Sequence, residues 1–143
     1  MKPDQVDALK KSFVRIEAVG QQAGHFFYDT LFQRNPTFKP MFTNDMDQQV
    51  EKFLSTLKLI VYSFEASADG EYHLTDDLKI PLVNLGKKHQ QLGVTPDMFK
   101  PVAEALLASL EKFSGNAFTD EVRKAWTDAY WELAEAMEPT NDQ

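Results

Sequence analysis

His89 is the residue whose type and position in this sequence could bind a metal ion. It lies four residues after Leu85 and three before Leu92, so a helix that buries these leucines also turns His89 toward the core. A neutral imidazole is the commonest protein ligand of iron and other transition metals. A buried histidine can instead be satisfied by a backbone carbonyl, and on spacing alone this structural alternative is the commoner one.

The remaining histidines do not complete a metal site made of protein ligands alone. The chain has three histidines, His25, His73 and His89, and none lies three residues after a glutamate, as di-iron bundles require. The His-Glu-x-x-His motif is absent, and the glycines are too scattered for a phosphate loop, a dinucleotide fingerprint or a hydrolase elbow. One core-facing imidazole with few polar neighbours would suit a haem held between helices.

Apolar residues recur at helical spacing along nearly the whole chain, which predicts the elements that position His89. Breaks are expected at Gly20, before Pro36, around residues 66–70, and at Gly93 and Gly115, with Pro139 ending the last helix. No alternating pattern typical of a strand is evident. The predicted helical stripes run from Val6 to Ile16, Ala23 to Phe32, Val50 to Phe64, Leu78 to Leu92, Phe99 to Phe113 and Val122 to Met137.

Candidate helix caps support these boundaries. Residues 44–47, which include Asn44 and Asp45, can begin the third helix, and Thr75 or Asp76 can begin the helix that carries His89. Thr95 followed by Pro96 is typical of a helix start, and Thr119 can cap the last helix. The sequence therefore predicts a single all-α domain over residues 1–143, with about six or seven helices.

Composition excludes several classes of protein. The chain has 143 residues, no cysteine and a net charge of -7, without the Lys/Arg cluster that nucleic-acid binding would require. The absence of cysteine excludes disulfides and covalent haem attachment through Cys-x-x-Cys-His. The longest apolar stretch, near Leu59 to Tyr62, is too short to cross a bilayer, and the N-terminus does not resemble a secretory signal. We expect a cytoplasmic protein.

Several segments, in a consistent order, resemble the globin family. The segment from Leu85 to Val94 resembles the proximal-histidine segment of single-domain bacterial haemoglobins and of the globin domain of flavohaemoglobins. The run from Phe27 to Phe32, followed by Asn35-Pro36 and Phe42, is similar to their second helix and the corner after it. The run from Ala125 to Tyr130 is similar to their last helix. The resemblance covers nearly the whole chain and implies a globin fold enclosing one haem.

The resemblance also implies roles for individual residues. His89 would be the proximal iron ligand of one haem b per chain, and Tyr28 would point its hydroxyl into the distal pocket. Gln49 would be the distal residue, since it lies four residues before Phe53, although the adjacent Gln48 leaves the register open. Tyr28 has the alternative of a core tyrosine bonded to a carbonyl.

Further residues would contact the haem itself. Phe42 would pack on the haem face after the corner, which does not exclude ordinary core packing. Lys52, one turn after Gln49, could pair with a haem propionate, although a lone exposed lysine is more often solvated. The full set of haem contacts implied by the resemblance is Phe42, Lys52, Phe53, Leu85, Val94 and Phe99.

The sequence departs from the flavohaemoglobin pattern in three places. Ten residues after His89 the family has a tyrosine that bonds with a glutamate, whereas this chain has Phe99, and the glutamate's place falls near Gln143. No reductase domain is expected in these 143 residues. The segment from Ala66 to His73 lengthens the connection between the third helix and the helix that carries His89. An approach of His73 to the haem therefore stays open.

The resemblance implies reversible binding of a diatomic gas (oxygen, and also nitric oxide or carbon monoxide). Donors at Tyr28 and Gln49 would slow oxygen release, which favours scavenging, or detoxification of nitric oxide with a separate reductase, over bulk delivery. Nitric oxide dioxygenase activity therefore stays open. The alternative is a gas or redox sensor module that acts through a protein partner. The chain is expected to be a monomer or a weak homodimer, with no nucleic-acid or membrane partner.

Overall fold

Six α-helices and one small β-hairpin make up the described part of the chain, residues 1–43 and 45–138 of a computed structural model. The helices and strands are α1 Pro3–Ala18, α2 Gly20–Arg34, α3 Met46–Val61, β1 Phe64–Ala66, β2 Tyr72–Leu74, α4 Lys79–Gln91, α5 Phe99–Ser114 and α6 Asp120–Met137. Short 3-10 turns lie at Pro36–Met41, Asp76–Leu78, Pro96–Met98 and Gly115–Ala117. The predicted all-α fold is confirmed.

Most of the predicted helix boundaries are found in the structure, and their side chains explain them. Asp45 caps α3, because its Oδ1 accepts from the backbone N–H groups of Asp47 and Gln48. Thr119 caps α6 by accepting from the N–H of Val122. Gly93 follows α4 with a φ of 94°, a left-handed conformation that favours glycine. The predicted cap Asn44, the stop at Pro139 and the position near Gln143 lie outside the described residues.

The helices pack in two groups that share α5. Helix α2 crosses both α3 and α5, while α1, α4 and α5 all pack on α6. At the crossing of α2 and α3, the side chain of Val50 occupies the space that a Cβ atom on residue 24 would need, so only glycine fits there. At the crossing of α4 and α6, Gly86 lies directly against the backbone carbonyl of Met137. These two glycines allow the helices that carry the candidate site residues to approach closely.

The β-hairpin corrects two expectations. Phe64, expected at the end of the third helical stripe, is the first residue of β1, and the segment from Ala66 to His73, expected to be a loop, includes the first two residues of β2. Strands of three residues are too short to show an alternating pattern. Their stability comes from distant partners, since the N–H of Tyr72 donates to the carbonyl of Met1 at 2.6 Å and the N–H of Leu74 donates to Glu132 at 2.8 Å.

Leu92 also differs from expectation. It was expected to continue the buried stripe of the His89 helix, but its side chain is 58% exposed. Helix α4 ends at Gln91, so Leu92 lies beyond the last helical residue and leaves the buried face. In the described segments, no helix is long and apolar enough to cross a membrane.

Candidate functional site

A cluster of aromatic rings lies where α2, α3 and the segment after α2 meet. Phe27 of α2 stacks on Phe53 of α3 with the ring centroids 4.4 Å apart. The ring of Tyr28 contacts the edges of Phe42 and Phe53, with centroid separations of 5.3 and 5.8 Å. Phe32 contacts Phe42 at 5.2 Å. The predicted residues Tyr28, Phe42 and Phe53 therefore come together, joined by two phenylalanines that the prediction did not single out.

The one polar contact in this aromatic cluster joins the two predicted distal residues. Gln49 Nε2 donates to the hydroxyl oxygen of Tyr28 at 3.1 Å. Gln48, the alternative, is exposed. Tyr28 is 3% exposed, and this burial raises its pKa to about 12, against a smaller lowering by the hydrogen bond from Gln49. The tyrosine hydroxyl therefore keeps its proton throughout the physiological pH range.

The Tyr28–Gln49 pair has one hydrogen-bond donor that no described residue accepts, which we call the reserve donor. A phenol hydroxyl both donates and accepts, and here the Tyr28 oxygen accepts from Gln49 while its proton has no acceptor among the described residues. If the Gln49 amide were rotated by half a turn, the tyrosine would donate to the amide oxygen and the amide N–H₂ would be the unused donor. In either arrangement a donor remains for a further partner.

The imidazole of His89 is held by one nitrogen and leaves the other available. His89 Nδ1 lies 2.7 Å from the carbonyl oxygen of Leu85, one turn earlier on α4. A carbonyl can only accept, so Nδ1 carries the ring proton and Nε2 has a lone pair. No partner for Nε2 is present in residues 1–43 or 45–138. An imidazole oriented in this way is suited to bind a metal through Nε2.

Helix α4 is separated from the helices that carry the aromatic cluster. It packs on α6 and on the turn Asp76–Leu78, and makes no comparable packing contact with α2 or α3. The segment after α2 approaches the end of α4 where Met41 Cε lies 3.7 Å from the Cβ position of Gly93. Leu85 and His89 thus lie on a helix that packs apart from the aromatic cluster, whereas Phe99 lies on α5, which packs on α2.

The other two histidines are bound to carboxylates elsewhere. His25 Nε2 lies 2.7 Å from Asp47 Oδ1, which joins α2 to the first turn of α3. His73, in β2, lies 3.0 Å from Asp69 and 3.6 Å from Glu132. The structure therefore places the His73 imidazole between the hairpin and α6.

The remaining predicted residues differ in their exposure. Lys52 is exposed on α3, whereas Leu85, Val94 and Phe99 are half-buried. The carbonyl of Phe99 accepts a hydrogen bond of 2.6 Å from the hydroxyl of Tyr130, a residue that the sequence analysis assigned only to the α6 stripe. Burial raises the pKa of Tyr130 well above its usual range, so this tyrosine also stays protonated.

Comparison with known proteins relates the chain to one family. A family model described as Globin matches residues 25–137. A flavohemoprotein of Rhizobium meliloti (strain 1021) is 35% identical over 111 residues, which is 78% of this chain and 26% of that protein. A flavohemoprotein of Vibrio cholerae is 28% identical over 136 residues, or 94% of this chain and 33% of that protein. The chain thus spans about a quarter to a third of the length of these curated relatives.

Similarity extends to a more distant relative and to a solved structure. Flavohemoprotein B of Dictyostelium discoideum is 25% identical over 132 residues, covering 92% of this chain and 30% of that protein. The crystal structure of hemoglobin from the shortfin mako, Isurus oxyrinchus, superposes with a TM-score of 0.74 at 20% identity. It covers 96% of this chain and 95% of the mako chain, so the two share a fold.

Proposed function

The chain belongs to the globin family and takes haem as its cofactor, and we propose that it binds the haem iron through His89 and a diatomic gas beside Tyr28 and Gln49. The observation that carries this proposal is that His89 can bind a metal, whereas the Tyr28–Gln49 pair can donate a hydrogen bond. His89 has one nitrogen fixed and one lone pair available, while the Tyr28–Gln49 pair has one donor in reserve.

The described residues fit a haem. A haem is flat and largely apolar, and the aromatic cluster of α2 and α3 offers an apolar wall. Helix α4 packs on α6 and not on these two helices, which is compatible with a flat group between them. We assign Phe42, Phe53, Leu85, Val94 and Phe99 to the haem contacts, with Lys52 at the exposed edge for a propionate.

The protein's own groups set how long a gas ligand stays. When bound, haem supplies an iron that coordinates a diatomic gas reversibly. The reserve donor of the Tyr28–Gln49 pair can donate to the partly negative outer atom of the ligand, and in an apolar setting such a bond is worth about 1.5 to 3 kcal/mol. Release of oxygen is then slow, which favours scavenging or chemical conversion of the gas over delivery.

Conversion of nitric oxide to nitrate by dioxygen is the finer function that we propose. This reaction consumes one electron for each nitric oxide converted, and we propose that a reductase supplies it. The hydrogen bond from His89 Nδ1 goes to a neutral carbonyl, so the proximal imidazole is less electron-rich than one bonded to a carboxylate. We therefore propose a weaker push toward O–O bond cleavage than in the flavohaemoglobin pattern. The cytoplasmic location and the monomeric or weakly dimeric state stay predictions.

The test is the absorption spectrum of the purified protein in the ferric state and in the ferrous state, with and without carbon monoxide. We expect a Soret band that shifts with carbon monoxide in the wild type and is lost or strongly altered in His89→Ala. His73→Ala is the matched control and should keep the wild-type spectrum. A colourless protein that takes up no added haem, or an unchanged spectrum in His89→Ala, would contradict the proposal.

A further inference from the structure

The first turn of α3 is tied to α2 by a row of polar contacts that leads from the surface to Gln49. We propose that His25 and Asp47 form a positioning pair, which holds this turn so that the Gln49 amide meets the hydroxyl of Tyr28. The inference rests on the proposed function, since it assigns a role to residues outside the pocket in setting the distal hydrogen bond.

The spacing along the two helices supports the assignment. On α2, Gln21, His25 and Tyr28 follow one another at intervals of four and three residues, so their side chains share one face. On α3, Asp47 lies two residues before Gln49. The contact of His25 with the first turn of α3 therefore lies one turn of α2 before the contact of Tyr28 with Gln49.

Three contacts form this row between the helices. Gln21 Nε2 donates to the backbone carbonyl of Asp47 at 3.3 Å, and His25 Nε2 lies 2.7 Å from Asp47 Oδ1. The third is the 3.1 Å bond from Gln49 to Tyr28. Exposure falls along the row, because the Asp47 side chain is 76% exposed and that of His25 37%, whereas Tyr28 is 3% exposed.

The first turn of α3 is held to the rest of the molecule by few contacts other than polar ones. The N–H groups at the start of a helix have no partners within the helix, and here two of them, from Asp47 and Gln48, are bound by the cap Asp45. Met46 is half-buried and packs against the core, whereas Asp47 and Gln48 are exposed, and the first fully buried residue of α3 is Val50. Of the three polar contacts between this turn and α2, the one between His25 and Asp47 is the shortest.

The consequence concerns the position of Gln49. A hydrogen bond weakens steeply as its distance and angle depart from the optimum, so a looser first turn would weaken the bond from Gln49 to Tyr28 or to a gas ligand. The pair is partly exposed, and the effect of removing it is therefore modest. We expect the oxygen dissociation rate to rise by about two- to fivefold when the pair is broken.

The test compares oxygen dissociation rates of four variants of the haem-loaded protein. His25→Ala removes the contact, and His25→Gln keeps an Nε2 donor at a similar reach. His73→Ala removes the chain's other surface His–Asp pair, which is 3.0 Å long and lies on the hairpin. Gln49→Leu measures the full effect of the distal amide. We expect a faster rate in His25→Ala, a rate near wild type in His25→Gln and His73→Ala, and the fastest rate in Gln49→Leu.

A second readout does not depend on haem. Amide hydrogen exchange at Asp47 and Gln48 in the haem-free protein should speed up by about the same two- to fivefold in His25→Ala and return to the wild-type rate in His25→Gln. His73→Ala should leave exchange at these two amides unchanged. A purely structural loss of stability would instead speed exchange throughout the chain.

The outcomes separate this inference from the proposed function. If Gln49→Leu speeds release and His25→Ala does not, the positioning role is wrong and the distal pair stands. If His25→Ala and His73→Ala speed release equally, the effect is general destabilisation and the inference is also wrong. If Gln49→Leu has no effect, the distal part of the proposed function fails, and the inference fails with it.

Discussion

At the scale of single residues, the candidate site depends on hydrogen-bonding groups that are only partly used. Tyr28 accepts from Gln49 and keeps its proton, and His89 donates through Nδ1 and keeps the lone pair of Nε2. Tyr28 is buried among aromatic rings, where an unused donor is costly unless a ligand takes it up, and His89 is half-buried. Such partly satisfied polar groups indicate where a ligand binds.

The first residue-scale prediction concerns the distal pair. Tyr28→Phe and Gln49→Leu should each raise the oxygen dissociation rate by about tenfold, because each removes either the donor to the ligand or the partner that orients it, and the bond to the ligand is worth about 1.5 kcal/mol or more. Stopped-flow mixing of the oxygen complex with carbon monoxide measures this rate. Tyr130→Phe is the control, since its hydroxyl bonds the Phe99 carbonyl and lies outside the Tyr28–Gln49 pair. Rapid oxygen release by the wild type would contradict the prediction.

At the scale of elements, the β-hairpin joins distant parts of the chain. Its β2 strand is bonded to Met1 on one side and to Glu132 of α6 on the other. The side chain of His73 lies between Asp69 of the hairpin turn and the same Glu132. The hairpin therefore links the N-terminal segment to α6, on which the proximal helix α4 also packs.

The hairpin gives a prediction for the dependence of stability on pH. The hydrogen bond to Asp69, and secondarily the charge of Glu132, raise the pKa of His73 above its ordinary value. A raised pKa in the folded state means that the charged imidazole stabilises the fold. This contribution is fully present below the pKa of the unfolded chain and disappears as the pH rises through the folded-state pKa.

We therefore expect His73→Asn to lower the melting temperature at about pH 5.5 and to have little effect at about pH 8.5. Thermal unfolding followed by circular dichroism measures the difference between variant and wild type at each pH. A difference of equal size at both pH values would mean that His73 stabilises the hairpin by packing alone, without the charge.

At the scale of the whole molecule, buried polar contacts join helices that are far apart in sequence. Trp126 Nε1 of α6 donates to Ser12 Oγ of α1 at 2.7 Å, and Ser12 in turn donates to the carbonyl of Leu9 at 3.0 Å. Ser109 Oγ of α5 donates to the carbonyl of Ala23 of α2 at 2.9 Å. These contacts fix how the first and last helices meet around an otherwise apolar core.

Ser12→Ala should therefore reduce the free energy of unfolding by about 1 to 3 kcal/mol, because it leaves the buried N–H of Trp126 without an acceptor. Ser109→Ala is the matched control. It removes only a donor, and the Ala23 carbonyl lies inside α2, where it keeps a helical N–H partner. Urea unfolding followed by tryptophan fluorescence gives both values. An equal loss in the two variants would argue against a special role for the Trp126 contact.

The sequence by itself determined the helical elements, because the spacing of apolar residues and the caps act within a few residues of one another. Asp45, Thr119 and Gly93 mark boundaries that the structure has. His89 was predicted to lie on the core-facing side of its helix, and the order of the segments predicted the family. The spacing to Phe53 favoured Gln49 but left the register between Gln48 and Gln49 open, and the contact of Gln49 with Tyr28 came only from the structure.

Only the tertiary structure decided which side chains meet across the chain. The hairpin could not be predicted, since strands of three residues depend on partners at Met1 and Glu132, more than fifty residues away. The contact between His25 and Asp47 joins two residues that are 22 positions apart in sequence, and no local pattern indicates it. Local spacing determines which face of a helix is buried, but the partner on that face depends on how the helices cross, which is set by close contacts such as Gly24 against Val50.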